Sequence, residues 1–158
     1  MNLICAYEDL VPYGHMLGHF KFDDVVCIGW LDVRGPVPTG EVPSEFTEKL
    51  KRIACSDGPL KALVEPSRAP PSCPECGSLY IKCNDSYLPG AEIWIPGSGR
   101  IYSSPVAVIH YIEAHGYSPP KEYLDAVLSL DLKTDFLADA VYREKLLASG
   151  WFESKLTR

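Results

Sequence analysis

Two cysteines three residues apart, Cys73 and Cys76, constrain the fold of this chain more than any other feature of its sequence. They stand in the stretch Cys73-Pro74-Glu75-Cys76-Gly77, where a tight turn can direct two thiolates at one metal ion. The glycine that follows can adopt the positive φ angle that such a turn often needs. Because zinc takes four ligands at a tetrahedral centre, the motif predicts two further ligands elsewhere in the chain.

The stretch from His110 to His115 supplies the two further candidates. It reads His110-Tyr111-Ile112-Glu113-Ala114-His115, at the end of a helix predicted over 105–115 and terminated by Gly116. Residues five apart are separated by about 140° on an ideal helix, so the last turn must loosen or tighten to bring the imidazoles together. The sequence therefore predicts a zinc site of Cys73, Cys76, His110 and His115, arranged as a ββα unit with an enlarged hairpin. Cys83 is an alternative ligand in place of one histidine.

The four-ligand set indicates what kind of zinc site this is. Four protein ligands leave no coordination position for water, whereas catalytic zinc usually keeps one open, so a structural role is favoured. A redox role for the cysteine pair fits poorly because the strands of a hairpin follow it.

Of the other cysteines, Cys5, Cys27 and Cys55 lie in apolar surroundings and are predicted to be plain core residues. The His15/His19 pair is predicted to lie in a surface loop.

The order of predicted elements indicates the fold class. Strands over 3–7 and 25–31 and an amphipathic helix starting at Pro43 precede a predicted hairpin of 79–83 with 92–95. Helices dominate after 105, beginning near Ser104, Ser118 and Thr134. Strands first and helices last favour an α+β fold with a small, mostly antiparallel sheet. We predict one domain over 1–158, containing a zinc-centred hairpin-helix unit over 73–116 and C-terminal helices.

Charge and hydropathy argue against two classes of function, nucleic-acid binding and membrane spanning. The chain has 158 residues with 15 Lys+Arg against 21 Asp+Glu, a net charge of −6, which argues against nucleic acid as a partner. No apolar run is long enough to span a membrane. The N-terminus does not resemble a signal peptide, so we expect a cytoplasmic protein with reduced thiols.

Four motifs of this chain resemble those of an uncharacterised bacterial family. They are similar to its G-W-L-D, P-T-G, C-x-x-C and H-Y-x-x-A-H-G-Y-x-P-P motifs, and stand at 29–32, 38–40, 73–76 and 110–120. The similarity covers roughly residues 7 to 128 and leaves 129–158 outside. Because the family is a domain of unknown function, the resemblance implies no activity. Its cysteine and histidine positions match the four predicted ligands.

The expected function is therefore that of a non-catalytic, zinc-stabilised protein that binds another protein. An acidic surface steers binding toward a basic partner, and an immunity or toxin-neutralising protein has this profile. The alternative is a metal-dependent, hydrolase-type enzyme with three protein ligands and an open zinc position.

Overall fold

A five-stranded sheet with helices on both faces forms the frame of the protein. The computed structural model describes residues 8–14 and 20–150. In chain order the elements are β1 (Pro12–Gly14), β2 (Phe20–Cys27), α1 (Ser44–Ala54), β3 (Leu63–Val64), β4 (Ser72–Cys73), β5 (Gly77–Ser78), β6 (Lys82–Cys83), β7 (Ser86–Tyr87), β8 (Glu92–Pro96), β9 (Ile101–Pro105), α2 (Val108–His115), α3 (Lys121–Ser129) and α4 (Ala138–Ala148). No helix in these ranges is both long enough and apolar enough to cross a bilayer.

The strand order of the sheet is β1-β2-β9-β8-β3. Neighbouring strands of this sheet pair antiparallel, except that β2 and β9 run parallel to each other. The four remaining strands form two separate hairpins, β4 with β5 and β6 with β7. The prediction of an α+β fold with a small, mostly antiparallel sheet and C-terminal helices is confirmed.

Strand β8 shows how the sheet separates two cores. Ile93 and Ile95 are fully buried and pack in the cluster that contains buried residues of α1, α2 and α3. Trp94 is also fully buried but packs in a second cluster with Ala138, Tyr142 and Leu146 of α4. Successive side chains of a strand point to opposite faces. A strand covered on both faces therefore reads as the continuous apolar run found here.

Helix α1 packs against α2 and buries an apolar face beside it. Its face toward the core carries Phe46, Leu50 and Ile53, none of which is exposed to solvent, as the spacing of an amphipathic helix predicts. The helix packs against both α2 and α3. On the surface, the Lys51 ammonium pairs with the Glu113 carboxylate at 2.9 Å. The helix that carries the two histidines is thus fixed by burial rather than by this half-exposed ion pair.

The predicted hairpin of 79–83 with 92–95 is wrong. Lys82–Cys83 instead pairs with Ser86–Tyr87 across a tight turn. Glu92–Pro96 pairs with Ile101–Pro105 on one side and with Leu63–Val64 on the other. The polar residues between 83 and 92, expected to form one long loop, contain a turn of their own, in which Asn84 adopts a positive φ of 54°.

Several predicted boundaries also differ from the structure, and α2, α3 and α4 each begin three or four residues after the starts predicted near Ser104, Ser118 and Thr134. The strand expected over 25–31 begins earlier and ends at Cys27, because the chain turns at Gly29 with a φ of +72°. The helix expected over 105–115 begins at Val108, because Pro105 is still the last residue of β9. The strand predicted over 3–7, Cys5 and the His15/His19 pair lie outside the described residues.

The close approach of Gly29 to α2 leads to a first prediction. A Cβ at this position would lie 2.5 Å from Cγ2 of Val108, a stiff, fully buried side chain at the start of the helix. Gly29→Ala is expected to lower the free energy of unfolding by about 2–4 kcal/mol, combining strain at positive φ with overpacking. Urea denaturation measures this loss.

The matched control for this prediction is Gly99→Ala. Gly99 has a similar φ of +86°, but no atom of the other described residues, apart from its chain neighbours, lies within 4 Å of the place that an added methyl group would take. The free energy of unfolding of Gly99→Ala should fall by only about 1–2 kcal/mol, the cost of placing alanine at positive φ. Equal losses at both glycines would show that the contact with Val108 does not constrain the fold.

A half-buried glutamate on β8, Glu92, leads to a second prediction. Glu92 accepts hydrogen bonds from Trp94 Nε1 at 2.8 Å, from the Tyr13 hydroxyl at 2.7 Å and from the Ser103 hydroxyl at 3.0 Å. These bonds favour the carboxylate, but desolvation outweighs them and raises the pKa of Glu92. As the pH rises above the ordinary glutamate range, the folded state therefore keeps a proton that the unfolded state has lost, and stability falls.

Glu92→Gln removes this titration while keeping the size of the side chain. The stability of the variant relative to the wild type should increase as the pH rises from about 4, the unfolded glutamate pKa. The increase should level off above the raised pKa of Glu92. Urea unfolding of both proteins over a pH series measures the difference, and a difference independent of pH would contradict the prediction.

Candidate metal centre

The cysteine pair is presented by a very short hairpin. Strands β4 and β5 pair Cys73 with Gly77 and Ser72 with Ser78, and the chain reverses between the two cysteines. Gly77 has a φ of +80°, the left-handed conformation that the sequence motif anticipates and that glycine adopts at little cost. Cys73 is buried at the edge of the main core and Cys76 is exposed, so the pair lies just beneath the surface.

The two histidines lie on the last turns of α2, just before the helix ends at Gly116. The N–H groups of Gly116 and Tyr117 both bond to the Tyr111 carbonyl, five and six residues back instead of the four of an α-helix. Gly116 takes a left-handed φ of +70° and ends the helix there. The rings of His110 and His115 lie with their centroids 5.0 Å apart. The helix is regular through His115, so the two imidazoles come together without the loosened or tightened last turn that the sequence predicts.

The four predicted ligands come together in space. One ligand atom each from Cys73, Cys76, His110 and His115 lies within 4.8 Å of all the others, and the cluster could hold a metal ion. The His115 Nε2 atom is 3.6 Å from both the Cys73 and the Cys76 sulfur. Zn–S bonds of about 2.3 Å and Zn–N bonds of about 2.0–2.1 Å at tetrahedral angles separate sulfur from nitrogen by about 3.6 Å.

One nitrogen of the cluster lacks a partner among the described residues. The Nε2 atom of His110 is buried and has no hydrogen-bond partner among the described residues. Burial, and secondarily the neighbouring His115, lowers the pKa of His110, which favours the neutral imidazole that binds metals. An unsatisfied buried nitrogen costs free energy, and a metal ion at the centre of the cluster would satisfy it.

Cys83, the alternative ligand, lies elsewhere. Its sulfur is paired with that of Cys55 in a disulfide, with Cα atoms 5.6 Å apart, so the expectation of reduced thiols is wrong for this pair. Cys55 caps the C-terminus of α1, so the prediction that it is a plain core thiol is wrong. Cys27 is buried in the second core cluster beside α4, as predicted.

Sequence reasoning missed two features beside the cluster. The Asp32 carboxylate holds the Arg34 guanidinium through two bonds of 2.8 Å, and these lower the pKa of Asp32 to about 2. Tyr111 lies between the histidines in sequence and is almost fully buried. Burial, then the charges of Cys73 and Asp32, raises the pKa of Tyr111 to about 12. The sequence could have indicated that Tyr111 lies beside the cluster, because it directly follows His110 in the H-x4-H motif.

Comparison with protein families gives one match. A family model described as a domain of unknown function (DUF7919) matches residues 5–128, more than three quarters of the chain and nearly the span of the resemblance seen in the sequence. The matched part includes all four residues of the cluster, whereas α4 lies beyond it. Searches among curated proteins and among solved structures give no significant match.

Proposed function

The chain belongs to the DUF7919 family, and because the family description names no function, we propose one from the cluster itself. Cys73, Cys76, His110 and His115 bind one zinc ion as a structural centre, and the domain so stabilised acts by binding another protein. The observation that carries the proposal is the 3.6 Å separation of the His115 nitrogen from both sulfurs, the spacing of ligands around tetrahedral zinc.

The donor set supports zinc as the ion. Two thiolates with two imidazoles are a frequent ligand combination of structural zinc, and soft sulfur ligands disfavour magnesium and calcium. The widest pair of ligand atoms, at up to 4.8 Å, must close by roughly 1–1.5 Å to reach tetrahedral spacing, which side-chain rotation can supply.

A structural role follows from what the ion would connect. The two sulfurs belong to the β4–β5 hairpin, whereas the two nitrogens belong to α2. Zinc bound by all four side chains would therefore link the β4–β5 hairpin to helix α2, two elements that no backbone ladder joins. Because no coordination position then remains for water, the alternative of a metal-dependent hydrolase requires one ligand to leave the ion.

An exposed pair of tyrosines supports protein binding. Tyr80 and Tyr87 are 68% and 56% exposed and contact each other edge to face, with ring centroids 5.9 Å apart. They lie on and beside the β6–β7 hairpin, which directly follows the cysteine turn. Tyrosine is enriched in protein interfaces and among the residues that contribute most to binding.

The charge of the chain supports a basic partner. A net charge of −6 accelerates encounters with positively charged surfaces. We further propose that the protein works in the cytoplasm and that neutralising a basic toxin, as an immunity protein does, is the form this binding takes. A gene for a basic toxin beside this one would support that role.

Metal content leads to a third prediction. Purified protein should contain about one zinc per chain, and chelation should lower its melting temperature, because an ion bound to the folded state stabilises it. His110→Ala should lose the ion and several kcal/mol of stability, since structural zinc contributes on the order of 10 kcal/mol to small domains. Elemental analysis and thermal melts followed by circular dichroism measure both effects.

Two control variants separate the cluster from its surroundings. Glu113→Gln lies on the same helix but loses only a half-exposed ion pair with Lys51, so it should keep its zinc and nearly all its stability. The double variant Cys55→Ala/Cys83→Ala removes two cysteines outside the cluster and should also keep the ion. Full zinc occupancy in His110→Ala would show that the ligand assignment is wrong.

The tyrosine pair leads to a fourth prediction. Tyr80→Ala/Tyr87→Ala should leave zinc content and melting temperature nearly unchanged, because both rings are more exposed than buried. The variant should lose at least tenfold in affinity for the partner, as expected when residues central to an interface are truncated. Calorimetry with the product of a neighbouring toxin gene measures the affinity, and equal binding by both proteins would exclude this surface.

A further inference from the structure

A cavity of about 540 Å³ lies beside the cluster. It opens between the 30–34 loop, the prolines that precede Cys73 and the start of α2, and its volume suits a small organic ligand. Trp30, Pro71, Pro74 and Pro105 give it flat apolar walls. The indole N–H of Trp30 is already used, since it donates to the Ser103 carbonyl at 2.9 Å. Trp30 therefore contributes its ring face rather than a polar group.

Several acceptors around this cavity are already engaged. Backbone carbonyls that accept hydrogen bonds from the protein are those of Asp32, Pro71, Gly90, Ala91, Val106 and Ala107. Both oxygens of the Asp32 carboxylate are bound by Arg34, which also neutralises the charge.

The donors, in contrast, have capacity left. The Tyr111 side chain lines the cavity and is only 4% exposed, yet its hydroxyl has no hydrogen-bond partner in the described part of the chain. Arg34 uses Nε and Nη2 on Asp32 and leaves Nη1 available. Ala107, the N-cap residue of α2, also lines the cavity and provides no side-chain cap.

We propose that this cavity binds a small aromatic carboxylate. The ring of the ligand lies against Trp30 and the proline walls, and its carboxylate accepts hydrogen bonds from the Tyr111 hydroxyl and from Nη1 of Arg34. The helix N-terminus adds electrostatic attraction for the same negative charge. This inference is independent of the metal proposal, because neither Tyr111 nor Arg34 belongs to the four-residue cluster.

The test uses phenylacetate as the probe, with the full-length protein and titration calorimetry. Phenylacetate should bind in a saturable manner, and phenylacetamide, which keeps the ring but not the charge, should bind at least tenfold more weakly. Tyr111→Phe removes one hydroxyl and should weaken phenylacetate binding about tenfold or more, as expected for a hydrogen bond to a charged group.

A control variant outside the cavity and a second cavity variant accompany Tyr111→Phe. Tyr123→Phe removes a hydroxyl that is bonded to Ser104, away from the cavity, and should bind phenylacetate as the wild type does. Arg34→Gln changes a half-exposed side chain and keeps the test valid if Tyr111→Phe fails to fold. Three outcomes would overturn the proposal: no saturable binding up to about 10 mM, equal binding of acid and amide, or no weakening in either cavity variant.

Discussion

The stretch between Val64 and Glu92 has too little regular structure to keep its own shape, and the rest of the site depends on how it is anchored. Its strands are two residues long, far below the length at which a hairpin is stable alone. Side chains supply the anchors: Cys73, Leu79 and Leu88 enter the main core. The disulfide of Cys83 with Cys55 attaches the same stretch to α1. The proposed zinc ion would add a link to α2, where nonpolar contacts alone leave His110 Nε2 unsatisfied.

Local features of the chain were predicted well because their causes are local. The turn at Gly77, the end of α2 at Gly116 and the apolar face of α1 each follow from residues within one turn of the position concerned. The convergence of Cys73 and Cys76 with His110 and His115 was also predicted, because the number of ligands that zinc needs restricts which residues must meet.

Features that depend on distant partners were not predictable in the same way. The sequence between Cys83 and Glu92 is compatible with one long loop or with a tight turn, and only the neighbours of β8 in the sheet decide between them. The disulfide of Cys55 with Cys83 needs a helix end and a hairpin to meet across 28 residues. The half-buried Glu92 likewise bonds to Tyr13 and Ser103 on two other strands, and no short pattern in the sequence indicates these partners.

Helix α4 shows that the boundary of a sequence family and a folding boundary need not coincide. The family match ends at residue 128, whereas Ala138, Tyr142 and Leu146 complete the core that covers Phe22 and Trp94. A shortened chain ending at the limit of the match would leave an aromatic sheet surface uncovered, and surfaces of that kind promote aggregation. Work on the isolated family region therefore calls for a recombinant protein that extends through α4, although sequence comparison alone would place its end 20 residues earlier.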